Sequence, residues 1–397
     1  MSDKKKIIIE ELEKNNGILR LHPAWVARDF LPPGRRFALH ESQFNLGERG
    51  GICERWLAST TKADNRISVQ NEGLSILNVN SKEEILLKEA IELLPELILG
   101  QGYFKNHKGL GRLAKIFDYE ERLPLHIHQM EKHAKLVGRN PKEEAYYFPE
   151  NVPLGKSPET YFGIHPYIAL EKKYDLLLPH LIEWKDDSIL QHSRAYKQIH
   201  NDGFHVPAGT LHAPGTALTI ELQEDSDVFA MMQAKCGNKM IDKELLFKDV
   251  RKVDREKYGE RIIIEMINWE ISGDPYFYEN RHTPPILITK TNQAEEYWIF
   301  YNTTKFSGKK LVIKPNGKFF TKEKGIYNIL IWKGKANYGG LMIEANNYGY
   351  DELLITYKTA VEGVEISNIG KEEVIIFKFF GPDINNDVPL LSNYPKK

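Results

Sequence analysis

Cysteine is nearly absent from this chain. Only Cys53 and Cys236 occur among 397 residues, far apart and without the paired spacing of a zinc site. A disulfide framework and a cysteine-ligated zinc centre are therefore not expected. Such cysteine usage suits a reducing compartment, and we expect a cytoplasmic protein.

The chain also lacks an excess of positive or negative charge, and it lacks long apolar runs. The formal net charge is −1, so the composition gives no reason to expect binding to nucleic acid or to an anionic membrane. No apolar run approaches the roughly 20 residues that span a bilayer. The first segment, MSDKKKIIIEELEK, has only three consecutive apolar residues, which is too few for a signal-peptide core.

The length and the apolar content allow more than one core. At 397 residues, with 41% hydrophobic and 11% aromatic side chains, two domains are expected. Ser81 to Glu84 has the spacing of a capping box before an apolar pattern of helical period, which predicts a helix over 81–99. A second helical stretch is predicted over 157–189. The charged segment 248–261 has little apolar content and is interpreted as a linker.

Short apolar runs separated by turn residues about every ten positions characterise the last third of the chain. They include RIIIEMINWEI, EEYWIFYN, KKLVIKPNGKFF, GIYNILIWKG and EEVIIFKFFG. This spacing is typical of a β-sandwich or β-barrel. We therefore predict an all-β protein with helical insertions, with a first domain over 1–245 and a linker and second β domain over 246–397.

Two histidines stand two positions apart in LPLHIHQMEKH. Alternate residues of a strand share a face, so His126 and His128 are expected to point the same way. A solvated strand face explains such a pair as well as a binding site does. Two more residues at predicted strand edges favour a metal site, namely Glu144 in PKEEAYYF and His212 in HVPAGTLHA. Three imidazoles and one carboxylate suit zinc, manganese, iron or nickel rather than calcium.

Four segments together carry a resemblance to a known family. GGICERWLASTTKADNR resembles a Gly-Glu-x-Trp-x-x-Ser segment, and LAKIFDYEERLPLHIHQMEKHA resembles a stretch with a Gln-x-His-Pro sequence. PKEEAYYF is similar to a Lys-Thr-Glu-x-Trp-Tyr segment, and FHVPAGTLHAPG to Val-Pro-Ala-Gly-Thr-x-His-Ala. All four belong to the type I phosphomannose isomerases, which are metal-dependent members of the cupin superfamily.

The resemblance implies a fold and a site. It implies two cupin domains, each a jelly-roll β-barrel. The second domain has no H-x-H and His282 is its only histidine, so we expect it to be free of metal and to cover a face of the first domain or form a subunit contact, as in a homodimer. The resemblance implies that one divalent transition metal, zinc in the first place, is held by four ligands: His126, His128, Glu144 and His212. Lys142 and Glu221 would contact the substrate, a sugar or sugar phosphate that is converted between aldose and ketose.

Two departures from the family pattern bear on the substrate. The family glutamine is His126 here, and an imidazole binds transition metals more strongly than an amide carbonyl does. In ELQEDSDVFAMMQAK, Met231 stands where bacterial members carry an arginine close to the substrate, and Lys235 is the nearest cation. Three functions stay open: a sugar-phosphate isomerase, an isomerase or epimerase of a non-phosphorylated sugar, and a sugar-binding cupin without turnover.

Overall fold

The computed structural model describes residues 3–395 of the chain, which form two compact units. Unit 1 contains the residues up to 26, together with 55–116 and 285–390. Unit 2 contains 27–54, 117–284 and the residues from 391 on. None of the helices within residues 3–395 is long and apolar enough to cross a membrane.

Strands outnumber helices in the described chain. The strands are β1 (Ile18–His22), β2 (Ala24–Arg28), β3 (Gly51–Leu57), β4 (Ile76–Leu77), β5 (Arg112–Phe117), β6 (His126–Ile127), β7 (Glu144–Phe148), β8 (Glu159–Ile164), β9 (Ser193–Lys197), β10 (Asp202–Val206), β11 (His212–Ala213), β12 (Thr219–Glu224), β13 (Ala230–Met231), β14 (Lys235–Cys236), β15 (Lys239–Met240), β16 (Ile286–Lys290), β17 (Ala294–Phe300), β18 (Ser307–Ile313), β19 (Lys318–Thr321), β20 (Tyr327–Lys333), β21 (Lys335–Tyr338), β22 (Leu341–Glu344), β23 (Glu352–Ile355), β24 (Val364–Asn368) and β25 (Val374–Phe380).

The α-helices are mostly one or two turns long. They are α1 (Asp3–Lys14), α2 (Leu87–Leu93), α3 (Pro95–Leu99), α4 (Gln101–His107), α5 (Glu131–Ala134), α6 (Pro166–Leu170), α7 (Leu178–Glu183), α8 (Lys252–Tyr258), α9 (Arg261–Met266), α10 (Trp269–Ser272), α11 (Phe277–Arg281) and α12 (Tyr357–Glu362). Short 3-10 turns join them, including Ser188–His192. The predicted all-β class with helical insertions is confirmed.

Unit 1 is built on two antiparallel sheets. The larger has the strand order β16-β17-β18-β25-β20-β23-β1-β4, and the smaller has the order β19-β24-β21-β22. Helices α1 and α2 contribute Ile8, Leu12 and Ile91 to an apolar core that also includes Ile329 and Leu353 from the larger sheet. Burial of this apolar surface is the main source of stability for such a unit.

A charged cluster lies buried in unit 1. The Lys378 ammonium donates to Glu296 Oε1 at 2.6 Å, to Glu323 Oε1 at 2.8 Å and to Thr321 Oγ1 at 2.5 Å. Lys309 Nζ donates to Glu323 Oε2 at 2.6 Å. Lys378 is completely buried, so each of its partners compensates part of the cost of taking an ammonium out of water.

Unit 2 also contains antiparallel ladders. Strand β7 pairs with β10 on one side and β12 on the other. A separate five-stranded sheet has the order β13-β6-β11-β8-β9. Helices α6, α7 and α9 pack on this sheet through Ile168, Leu181 and Ile263.

The predicted helix over 81–99 begins later than expected. Residues 85 and 86 are extended, since Ile85 O accepts from Leu77 N and Leu86 forms a bridge with Ile76. Helix α2 starts at Leu87, and the carboxylate that accepts from the backbone at its start is Glu89 rather than Glu84. These helices belong to unit 1 and not to the barrel with the histidines.

The predicted helix over 157–189 starts as a strand. Residues Glu159–Ile164 form β8, which pairs with β9 and β11, and only the later part contains α6 and α7. The segment RIIIEMINWEI, predicted to be a strand, forms α9 and the start of α10. Its buried residues Ile263, Ile264 and Met266 lie on one helical face. A short apolar run fits a buried strand and a buried helix equally well.

The division of the chain differs from the expected boundary at residue 245. That position lies inside unit 2, which continues through 284 and includes the segment interpreted as a linker, where α8 forms over Lys252–Tyr258. The N-terminal strand β1 pairs with β23, so that Ile18 lies opposite Ile355. Because this pairing joins segments more than 300 residues apart, composition along the chain does not reveal it.

Candidate metal centre

Strand β6 presents both histidines of the H-x-H segment to one side. It pairs with β11 so that His126 lies directly opposite His212. The alternate residues Leu125 and Ile127 face an apolar cluster under the helices, as the period-2 geometry of a strand requires. The imidazole nitrogens of His126, His128 and His212 all lie within 4.8 Å of one another, and the three rings are buried.

Glu144 completes the group from the first position of β7. Its Oε2 lies 3.0 Å from His128 Nε2, and its Oε1 lies 2.9 Å from His212 Nε2. Tyr146, two residues on and on the same strand face, donates its hydroxyl proton to Glu144 Oε1. The structure therefore brings together all four residues that the sequence predicts as ligands.

Backbone carbonyls determine how each ring is protonated. His126 Nδ1 lies 2.7 Å from Pro124 O, His128 Nδ1 lies 2.7 Å from Val228 O, and His212 Nδ1 lies 2.8 Å from Thr210 O. A carbonyl oxygen can only accept, so each Nδ1 carries the proton. Each neutral ring then directs the lone pair of Nε2 into the cluster, as metal-binding histidines do.

Burial favours the neutral form of the His126 and His128 rings. Burial, together with the repulsion from His212 and His128 in their protonated forms, holds the pKa of His126 well below its usual range. Burial and the Lys142 ammonium lower the pKa of His128 to about 3. Neutral imidazole is the form that binds metal ions.

The donor set fits a cation at its centre. His212 Nε2 and Glu144 Oε2 are fully buried atoms without a hydrogen bond of normal geometry. With the proton on Nδ1, the lone pair of His212 Nε2 faces a carboxylate oxygen at 2.9 Å. Two acceptors at this distance repel each other unless a proton or a metal ion lies between them. Three imidazoles and a carboxylate are ligands that zinc and other transition metals prefer.

Lys142 and Glu221, which the resemblance implies as substrate contacts, border the cluster. Lys142 Nζ lies 2.9 Å from Glu144 Oε2, 2.9 Å from His128 Nε2 and 3.2 Å from Glu221 Oε1. Burial opposes the charge on this ammonium, but Glu144 and Glu221 outweigh burial and raise the pKa of Lys142. A fixed cation thus lies beside the donor set.

A second buried network was not predicted from the sequence. Arg28 donates to Glu54 Oε1 at 2.9 Å and to Asp227 Oδ1 at 3.3 Å, and the Tyr119 hydroxyl donates to Glu54 Oε1 at 2.6 Å. Asp227 directly precedes Val228, the residue that accepts from His128. No local motif marks this network, because Arg28 and Asp227 are 199 positions apart.

Met231 lies beside the cluster. In the antiparallel pair of β13 and β6 it is directly opposite His126, and residues opposite each other share a face of the sheet. Its side chain packs with Tyr146 and Phe117 in an apolar cluster and is 3% exposed. Lys235, the nearest cation in the sequence, lies on β14 and pairs with β15 instead.

Solved structures with the same architecture were found at low sequence identity. A protein of Archaeoglobus fulgidus assigned as a mannosephosphate isomerase superposes with a TM-score of 0.61 at 16% identity, covering 92% of this chain and 97% of that one. A variant of the phosphomannose isomerase from Salmonella typhimurium gives a TM-score of 0.60 at 11% identity, covering 92% and 100%. The chain has the fold of the phosphomannose isomerases.

This cupin-like fold is shared with a protein whose structure contains metal. A mannose 6-phosphate isomerase in its zinc-bound holo form superposes with a TM-score of 0.60 at 11% identity, over 92% of this chain and all of that one. No protein-family model and no curated protein sequence matches the chain. The likeness therefore rests on three-dimensional structure.

Proposed function

We propose that the protein is a metal-dependent aldose–ketose isomerase of a sugar or sugar phosphate. The observation that carries the proposal is the arrangement of three Nε2 lone pairs and the Glu144 carboxylate around one point, with Lys142 and Glu221 beside it. The fold of the phosphomannose isomerases supports the same class of reaction.

His126, His128, Glu144 and His212 would hold one divalent transition metal, zinc in the first place, with manganese, iron or nickel as alternatives. Such a metal, when bound, polarises a sugar oxygen and stabilises negative charge that develops on it. The carbonyls of Pro124, Val228 and Thr210 keep the rings in the ligand form.

The remaining chemistry belongs to the side chains of this chain. Interconversion of an aldose and a ketose moves a proton between two adjacent carbons, and a positioned acid or base must reach that proton. Glu221 is the neighbouring carboxylate outside the ligand set, and we assign it the transfer of the carbon-bound proton. Lys142, held as a cation between Glu144 and Glu221, would orient a sugar hydroxyl and stabilise charge on its oxygen.

A non-phosphorylated sugar is the second candidate substrate. Met231 places an apolar side chain next to His126, where a cation for an anionic group would stand. Arg28, the buried guanidinium of the neighbouring network, already pairs with Glu54 and Asp227. Strand β13 therefore places no cation beside His126 that could bind the phosphate of a sugar phosphate.

Solvent-proton exchange tests the proposal directly. The metal-loaded protein is incubated in deuterated water with a panel of aldoses and their phosphates, and incorporation at the second carbon is followed by NMR. We expect exchange with at least one sugar, loss of exchange in Glu221→Gln with metal content unchanged, and no effect of the matched control Glu224→Gln. Exchange only with free sugars would select the second candidate. Sugar binding without any exchange would show a sugar-binding cupin and refute the isomerase.

A further inference from the structure

Two histidines outside the site also direct nitrogen atoms at each other. His180 lies on α7, and His192 ends the 3-10 turn Ser188–His192. Their Nε2 atoms are 3.1 Å apart, and both side chains are only partly buried. Two nitrogens bound to one tetrahedral zinc ion at about 2.0–2.1 Å would be about 3.3 Å apart, close to this spacing.

A hydroxyl and a carboxylate determine the protonation of His180. The Ser188 hydroxyl donates to Asp186 Oδ1, because a carboxylate can only accept. Ser188 Oγ has no second proton, so at its 3.1 Å contact with His180 Nδ1 it must accept. His180 therefore carries its proton on Nδ1, and the lone pair of Nε2 points to His192. Hydrogen bonding of the distal nitrogen to an oxygen is the support that metal-binding histidines normally have.

Both rings are in the neutral form that a metal needs. Burial lowers the pKa of His180, and burial together with the charges of His180 and His165 lowers the pKa of His192. Neither Nε2 is occupied by a carboxylate in the described structure, and the contact between the two rings is one that a metal ion can replace.

The pair is separate from the first cluster. Leu181 and Ile189, which neighbour the two histidines in sequence, pack in the same apolar cluster as Leu125 and Ile127. Because successive strand residues point to opposite faces, this cluster lies on the face of β6 opposite to His126 and His128. The two histidine groups thus lie on different sides of one strand.

We propose that His180 and His192 form a second metal site, which takes Zn²⁺ or a similar borderline divalent ion from solvent. The two Nε2 atoms are the protein ligands, and water molecules complete the coordination. Ser188 and Asp186 hold His180 in the ligand form. With two protein ligands the site would bind metal reversibly, whereas the four-residue cluster would retain its metal through purification.

Equilibrium dialysis of the full-length protein against Zn²⁺ tests the site. At tens of micromolar free zinc, we expect the wild type to bind one ion more than His192→Ala or His180→Ala. Ser188→Ala should lower the affinity for this extra ion by about tenfold, the usual effect of removing a hydrogen bond that supports a metal ligand. The matched control His200→Ala removes an exposed histidine whose ring contacts Val152 O, and it should bind like the wild type.

A second ion gives an independent readout. Cu²⁺ added to the zinc-loaded protein should give an EPR signal with nitrogen hyperfine splitting that is absent from His192→Ala. The proposal is overturned if wild type and His192→Ala bind the same amount of zinc up to about 1 mM. His126→Ala with His128→Ala separates the two sites, because it should leave the extra ion in place even if the first cluster proves not to bind metal.

Discussion

Met231 lies directly opposite His126 across the pair of β13 and β6, so an apolar thioether adjoins the proposed metal ligands. A developing oxyanion in a dry site gains several kcal/mol from one placed donor. Methionine supplies no donor and is at most a weak acceptor. The choice of substrate is therefore expected to depend on this one position.

The first prediction concerns activity on mannose 6-phosphate. We expect turnover about 100-fold or more below that of an isomerase with a cation at this position, the size of effect seen when one such donor is removed. Met231→Arg should raise it, whereas Met231→Leu should not. Steady-state kinetics with both variants provide the measurement. Robust wild-type turnover that is lost in Lys235→Ala would show that Lys235 supplies the cation instead.

The second prediction concerns the metal of the first cluster. Purified protein should contain about one divalent transition metal per chain by elemental analysis, and replacing His126 and His128 together with alanine should abolish it. Removal of the metal by a chelator should lower the melting temperature of the protein. A ligand present at 1,000 times its Kd stabilises the folded state by about 4 kcal/mol, and a bound metal acts as such a ligand. Protein that never binds metal, even after reconstitution, would contradict the assignment of this centre.

The third prediction concerns the acid stability of the metal-free protein. The pKa of His128 is about 3 in the folded chain and about 6.5 in an unfolded one, so the unfolded state binds more protons between these values. Protonation of this ring does not oppose folding above pH 6.5. As the pH falls from 6.5 toward 3, the unfolded state takes up the proton first, and the free energy of unfolding decreases. Urea unfolding at several pH values gives the free energy of unfolding as a function of pH. This free energy should fall less steeply with decreasing pH in His128→Gln than in the wild type, and His200→Gln should behave like the wild type.

The fourth prediction concerns the buried lysine of unit 1. Lys378→Met leaves Glu296 and Glu323 without their shared cation, and breaking a buried ion pair by removing one partner costs about 3–5 kcal/mol. Urea denaturation should show a loss of this order in the free energy of unfolding. Lys318→Met, which removes the exposed partner of Glu365, should leave the transition nearly unchanged. Equal effects of the two variants would mean that the cluster contributes little.

Residues named from the sequence as site candidates lie together in the structure, whereas several helices and strands around them begin or end elsewhere than expected. His126 and His128 are two positions apart on one strand, so local geometry alone places them together. Glu144 and His212 were named as strand-edge candidates and then as ligands by the resemblance, whereas Lys142 and Glu221 came from the resemblance alone. The structure places all four at the cluster. The contact of His128 with Val228 and the Arg28 network were not predicted, since they join segments 100 and 199 positions apart. The contacts of His126, His212 and Tyr146 are two residues long, but they depend on side-chain orientations that the sequence does not specify.

The errors in the fold have physical causes as well. Ile263 and Ile264 belong to an apolar run that is too short for its period to separate strand from helix. The late start of α2 follows from the bridge between Leu86 and Ile76, and the assembly of unit 1 from three chain segments follows from pairings such as that of β1 with β23, neither of which a local pattern records.

The ammonium of Lys378 gives unit 1 an internal positive charge that is covalently part of the chain. In unit 2, Lys142 Nζ compensates only part of the buried acceptor cluster of Glu144 and His212, and the proposed metal ion would compensate the rest. Loss of the metal would therefore destabilise unit 2 more than unit 1. Hydrogen exchange after chelation should speed up around β6, β7 and β11, while the amides of β18, β20 and β25 keep their protection.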